Sequence, residues 1–368
     1  MADVNANSPN ASPRYPVLDA LRVIAMLDIV SIHVTDPATY LLGGMGLPVF
    51  IITAVALSVR RPELPTWRRW PGAAWKRAGR ILLPWVVWCV FFGISRALGG
   101  AMTPDRSVAD YFYPWMWGSG TSIHLWFLPY IFVAELAVLG VLAPLRRVPT
   151  GLVIGGALAL AGACVVWTGA VYDEHAAAYW AMSMDSDDYD ERAKFFGWMV
   201  RKSWLFGTAS VCLGVAVGRT LSLSAASRRR LFSPQRWLLI GAVLLVGLHF
   251  VWDRYQNNPL VHGHAIWQWW RQTWALLLVA AAMQFTGNTP KWLMRIAVLT
   301  MGVYLLHGWV NLRIDQGLRL LYDTSVWRVL WPIGNVTENY YGRISSVWLL
   351  TLLFVALLRR NKTVRRVL

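Results

Sequence analysis

Within residues 15–36, read as YPVLDALRVIAMLDIVSIHVTD, an apolar stretch carries Asp19, Arg22, Asp28, His33 and Asp36. Ionisable side chains are costly inside a bilayer, so these residue types in such a stretch point to chemistry. An imidazole titrates near neutrality and can take a proton from a hydroxyl, and a carboxylate nearby can orient it. A guanidinium can hold phosphate or a developing oxyanion. Arg22 and His33 are eleven residues apart. In a helix that spacing returns nearly to one face and separates them by ~16 Å along the axis. Asp19 and Asp36 fall within about 60° of that line, whereas Asp28 points about 140° from His33.

The elements that must position these groups follow from composition. The chain has 368 residues, 56% hydrophobic and only 15% charged, with long apolar runs. That is the pattern of a polytopic membrane protein. Ten apolar runs approach spanning length, at about 17–34, 45–60, 81–98, 123–143, 151–171, 198–217, 237–253, 267–286, 294–312 and 343–360. The expected fold is therefore all-α, a membrane helix bundle of about ten transmembrane helices. Residues 1–14 read as a disordered cytoplasmic tail, 15–360 as the membrane domain and 361–368 as a basic cytoplasmic tail. No cleavable signal peptide is expected, because no apolar core with a small-residue cleavage site precedes the first run.

The net charge of +16 does not mark a nucleic-acid partner, since the basic residues cluster at the ends of apolar runs. Arg60–Arg61, Arg68–Arg69, Lys76–Arg77, Arg80, Arg146–Arg147, Arg228–Arg230 and Arg359–Arg360 all fall on one side if both termini are cytoplasmic. Most of the 23 tryptophans suit interfacial belts. Cys89, Cys164 and Cys212 sit singly in apolar runs, as small buried hydrophobes do. His175, His249 and the pair His262 and His264 lack companions at ligand spacing, so no metal is expected.

Further candidates lie downstream. Lys76-Arg77-Ala78-Gly79-Arg80 precedes Ile81-Leu82-Leu83-Pro84, and Arg77 and Arg80 share a helical face, as two phosphate-binding guanidinium groups would. On charge alone, contact with anionic lipid is the simpler reading. His124-Leu125-Trp126-Phe127-Leu128 opens the fourth run, with Glu135 farther along it. An acid at that depth calls for an Arg or His on a neighbouring helix. Tyr304 and His307, at i and i+3, share a face of the ninth run.

These motifs together resemble the membrane acyltransferase-3 family. Leu18-Asp19-Ala20-Leu21-Arg22 followed by His33 resembles the family's first helix. Gly46-Leu47-Pro48-Val49-Phe50-Ile51 is a partial likeness of its second, with Ala54-Val55 where a Ser-Gly pair is usual. Arg77 and Arg80 match its paired arginines, His124 to Leu128 its fourth-helix start, and Thr300 to His307 a late Tyr and His motif, with Thr for the usual Ser.

The resemblance implies acyl transfer from cytoplasmic acyl-CoA, most simply acetyl-CoA, to a hydroxyl of an extracytoplasmic carbohydrate or glycolipid. Under it His33 is the general base, Asp36 its orienting acid, and Arg22 serves donor phosphate or the oxyanion. Arg77, Arg80 and Lys76 bind the donor. His124, Trp126, Tyr304, His307, Asp28 and Glu135 line the substrate path. The enzyme is expected in the cell (inner) membrane, in contact with lipid and not with nucleic acid. Buried titratable groups also fit an alternative, a proton-coupled transporter or flippase of an envelope glycan precursor, which would not need the paired-arginine phosphate site. A non-catalytic scaffold for glycan export is a third reading.

Overall fold

The computed structural model describes residues 15–34, 44–60, 70–100, 123–181, 189–223, 241, 265–322, 340–362 and 364–368. Among these residues the protein is helical and without strands. The helices are α1 (Pro16–Val34), α2 (Gly46–Val59), α3 (Trp70–Gly100), α4 (Phe127–Leu142), α5 (Thr150–Ala181), α6 (Tyr189–Leu221), α7 (Ala265–Ala282), α8 (Lys291–Ala297), α9 (Thr300–Tyr322) and α10 (Tyr340–Leu358). Short 3-10 turns occupy Ile123–Trp126, Pro144–Arg147 and Val364–Arg366. The expected run at 237–253 and the expected tail at 1–14 lie, but for Gly241, outside the described residues.

Three of these helices, at Trp70–Ser95, Thr150–Thr168 and Trp204–Leu221, are long and apolar enough to cross a membrane; α8 and the start of α9 reach that length and apolarity only taken together, as a pair bent at the break between them. α1 has the length but carries Asp19, Arg22 and Asp28, and these charges separate it from an ordinary lipid-facing span. The helix α3 begins well before the apolar run at 81–98. Ala73, Ala74, Lys76, Arg77 and Ala78 are good helix formers, so the helix extends past the hydrocarbon-like segment and carries the basic cluster within it. Pro84 lies inside this helix.

The chain divides into two compact units, Met1–Val49 with Leu277–Leu357, and Phe50–Leu276 with Leu358–Leu368. In the first unit α1 packs on α8 and α9. The axes of α8 and α9 differ by 52°, and at the break the Thr300 hydroxyl donates to the Ala297 carbonyl at 2.8 Å. α10 lies against α9, where Trp309 stacks on Phe354 and Gly302 admits Val355. Arg343 of α10 donates to Asn311 Oδ1 of α9 from both Nε and Nη2, at 3.2 and 3.1 Å.

The start of α2 is fastened to α1. Gly44 adopts φ 76°, a left-handed conformation that glycine takes without steric cost. The chain then turns into α2 with Gly46 so close to α1 that a Cβ there would meet the Ala25 carbonyl and the Ile29 side chain.

In the second unit α6 packs on α4 and α5, and α3 on α4. Gly214 and Gly218, four apart, bring α6 against the backbone of α2 at Ile52 and Ala56. This small-residue spacing serves close helix approach in lipid. Between α6 and α7, Gln272 is buried, accepting from the Ser210 hydroxyl at 2.8 Å and donating to the Phe206 carbonyl at 2.9 Å. The α5 span is only 17% buried, against 67% for that of α6, and Leu152 and Trp167 of α5 are 68% and 63% exposed. Exposed apolar side chains in such number mark a face for lipid.

Gly46→Ala is expected to lower the melting temperature of the detergent-solubilised protein, by about 1–3 kcal/mol of stability. Gly155→Ala, whose Cβ meets nothing within 4 Å, should leave it unchanged or slightly raised. Equal melting temperatures for Gly46→Ala and wild type would show that the α1–α2 approach is not as tight as described.

A candidate active site

In the first unit the ionisable residues of α1 separate into distinct environments. Asp28 is fully buried, and its carboxylate accepts the Gly46 N–H at 2.7 Å and the Gly44 N–H at 3.4 Å. The first amides of a helix have no intrahelical acceptor and carry partial positive charge. Asp28 therefore caps α2 from another helix, which gives a charge buried at membrane depth a built-in counterpart. The Ser31 hydroxyl donates to the Asp28 carbonyl at 2.7 Å.

One end of α1 carries Asp19 and Arg22. Asp19 Oδ2 accepts the Thr289 hydroxyl at 2.8 Å, a firmer contact than its 3.8 Å approach to Arg22. Both side chains of that ion pair are partly exposed, at 24% and 35%, so it contributes little. The guanidinium is thus held loosely by its own helix.

Three turns farther along, His33 reaches α9. Its ring lies 5.0 Å from that of His307, tilted by 41°. The two differ in access: His33 is exposed, whereas His307 is 0% exposed. His307 Nδ1 lies 2.8 Å from the Tyr304 carbonyl and 3.2 Å from that of Val303. Carbonyls only accept, so Nδ1 carries the proton, and in the neutral ring Nε2 is the basic nitrogen. The Tyr304 ring is buried beside His307, with centroids 6.2 Å apart. Tyr304 meets His307 through its backbone carbonyl as well as its ring, which the spacing of the two residues does not reveal.

In the second unit Glu135 of α4 finds the arginine partner that its depth called for. Arg77 Nε of α3 donates to Glu135 Oε2 at 2.8 Å, and the Ser58 hydroxyl of α2 donates to Oε1 at 3.0 Å. Three helices meet at this carboxylate. The bond to Glu135 uses only Nε of Arg77. Arg80 and Lys76 are exposed on the same helix.

Trp126 is buried against Phe127 and Tyr130, and Tyr130 packs edge-on to Trp204 of α6 at 5.4 Å. Trp126 thus belongs to an aromatic cluster within the unit. His124 lies in the 3-10 turn before α4 rather than in the helix that carries Glu135. Asp36 lies outside the described residues. Among the described residues no three His, Cys, Asp or Glu side chains gather as a metal site.

Ser58, Thr289 and the amides of Gly44 and Gly46 were not singled out from the sequence. Only the last left a trace there, the glycine-rich run Gly43-Gly44-Met45-Gly46, which marks a tight turn into a helix. Single Ser and Thr residues next to apolar runs carry no such signal.

Apolar helices exposing large hydrophobic side chains, with a buried Asp28 carboxylate and His307 imidazole in one unit and a part-buried Arg77–Glu135 pair in the other, define a helical membrane protein with polar centres. The chain belongs to the acyltransferase-3 family: residues 15–358 match the family model described as an acyltransferase domain. It is accordingly a membrane acyltransferase. No curated protein and no solved structure matches it.

Removing one partner of a fully buried ion pair costs ~3–5 kcal/mol. With side chains 23% and 12% exposed, Arg77→Ala is expected to cost less, on the order of 2 kcal/mol, while Arg80→Ala costs under ~0.5 kcal/mol. Chemical denaturation in mixed micelles checks this, and Arg77→Ala/Glu135→Gln should regain most of the loss. A double variant less stable than Arg77→Ala would contradict the pairing.

Proposed function

We propose that this acyltransferase moves an acyl group, most simply acetyl, from acyl-CoA to a hydroxyl of a carbohydrate or glycolipid. The donor is cytoplasmic, the acceptor extracytoplasmic, and the enzyme sits in the cell membrane with both termini inside, as the distribution of basic clusters favours. Within a family of acyltransferases, one observation carries this reading: His33, an exposed residue, has its ring 5.0 Å from that of the buried His307.

In this scheme His33 takes the proton of the acceptor hydroxyl as its oxygen attacks the thioester carbonyl. A carbon–oxygen bond forms, and the carbonyl electrons move onto oxygen. The tetrahedral species then collapses with cleavage of the carbon–sulfur bond. Coenzyme A leaves as thiolate and takes up the proton held by His33. No covalent acyl-enzyme is required.

His307 bears its proton on Nδ1 against backbone carbonyls, so it backs His33 as a fixed neighbour. Arg22, whose contact to Asp19 is long at 3.8 Å, offers its guanidinium to the oxyanion or to a donor phosphate. Asp36, three residues beyond His33, is the proposed orienting acid. Arg80 and Lys76, with the terminal nitrogens of Arg77, are the proposed phosphate ligands. Asp28, Glu135 and Trp126 act as positioning residues, because their described contacts are with the protein itself.

The test uses purified full-length protein and radiolabelled acetyl-CoA. Wild type should bind donor and release free coenzyme A. His33→Ala should still bind, with release slowed about 10²-fold or more, as loss of a general base requires. Lys76→Ala/Arg80→Ala should weaken binding and leave the release rate at saturation little changed. Release by His33→Ala at the wild-type rate would overturn the assignment of the base. Failure of wild type to bind acetyl-CoA or longer acyl-CoA donors would overturn the choice of donor.

A further inference from the structure

Helices α4, α5 and α6 of the second unit border a groove of about 470 Å³ that the proposed reaction does not use. Val138 and Leu142 of α4, Leu152 and Gly156 of α5, and Val211 and Val215 of α6 line it. Thr208, also in the wall, donates its hydroxyl to the Trp204 carbonyl at 2.8 Å, so the interior asks for no polar ligand. The volume is that of a small-molecule pocket, ~300–1,000 Å³. Val141 and Leu152 on its rim are 58% and 68% exposed, so the groove opens sideways. At the depth of the α5 and α6 spans, what enters from the side is hydrocarbon.

One end of the groove has a different chemistry. Leu145 and Val148 close it there, flanking the exposed Arg147, and the last turn of α6 brings Arg219 one turn beyond Val215 on the same face. Arg219 Nη2 reaches Thr150 Oγ1 only at 3.5 Å, and its buried Nε has no hydrogen-bond partner among the described residues. Neither ion pair among those residues involves Arg219. A buried guanidinium nitrogen without an acceptor is costly, and its planar fork fits phosphate oxygens.

We infer that this groove is a specific site for an anionic glycerophospholipid, with one acyl chain lying between α4, α5 and α6 and the phosphate on Arg219 beside Arg147. A zwitterionic lipid would supply the same chain and phosphate, but it would bring an ammonium group to an end that is already basic. The bound lipid fastens α5, the least buried of the three long spans, to α4 and α6. The site shares no residue with the proposed catalytic groups and stands whether or not that reaction is confirmed.

Native mass spectrometry of the full-length, delipidated protein in neutral detergent tests this, with dioleoylphosphatidylglycerol or dioleoylphosphatidylcholine added. Wild type should retain one phosphatidylglycerol per chain in clear preference to phosphatidylcholine. Arg219→Gln should lower phosphatidylglycerol retention about tenfold, the size of a lost charge-assisted contact, and abolish the preference. Gly156→Trp, built where a Cβ meets nothing within 4 Å, should fold normally and lose both lipids. Arg360→Gln, which removes an exposed charge at the end of the last helix, should change nothing. Equal retention of the two lipids by wild type, or unchanged retention in Arg219→Gln or Gly156→Trp, would overturn the site.

Discussion

A carboxylate buried at membrane depth needs a permanent partner, and Asp28 has one in the Gly46 amide that opens α2 and the Gly44 amide just before it. The arrangement meets two needs at once. The helix start gains an acceptor for amides that have none, and the charge gains donors that cannot move away. It also explains why Gly44 and Gly46 are glycines, since one takes a left-handed conformation and the other touches the Ala25 carbonyl. The register of α1 is set by this clasp, and with it the height and direction of His33, five residues farther on.

The polar centre of the second unit follows the same logic with a side-chain partner. Glu135 collects Arg77 and Ser58, so a single carboxylate joins α2, α3 and α4. Where lipid surrounds a bundle, apolar contact does not distinguish one helix neighbour from another, and buried polar contacts and small residues do. Gly214 and Gly218 of α6 supply the second of these devices against α2. Arg77 then has a structural duty whatever else it binds, which leaves the neighbouring exposed charges, Arg80 and Lys76, better placed to read a ligand.

Much of the helical framework was legible in the sequence, because long apolar runs bounded by basic clusters leave few alternatives. The ionisable residues of α1 stood out for the same reason, since charge in an apolar run is conspicuous. Less legible was what each residue touches. Asp28 stood out as a charge in an apolar run, but the backbone amides of Gly44 and Gly46 that it accepts from are contacts no side-chain pattern can announce. The start of α3 was hidden because hydropathy detects the hydrocarbon segment and not the helix that continues beyond it. His33 and His307 are far apart in the chain, and only the packing of α1 on α9 brings their rings to 5.0 Å.

The central claim is that an accessible imidazole, held by α1 and backed by a buried one, takes a proton during acyl transfer. Chemical rescue tests it most directly. Added imidazole should restore coenzyme A release to His33→Ala in proportion to its concentration, because the vacated position is reachable, and should not restore His307→Ala, whose position is sealed. A His33→Ala protein that binds donor but gains nothing from imidazole, or equal rescue at both positions, would contradict the account.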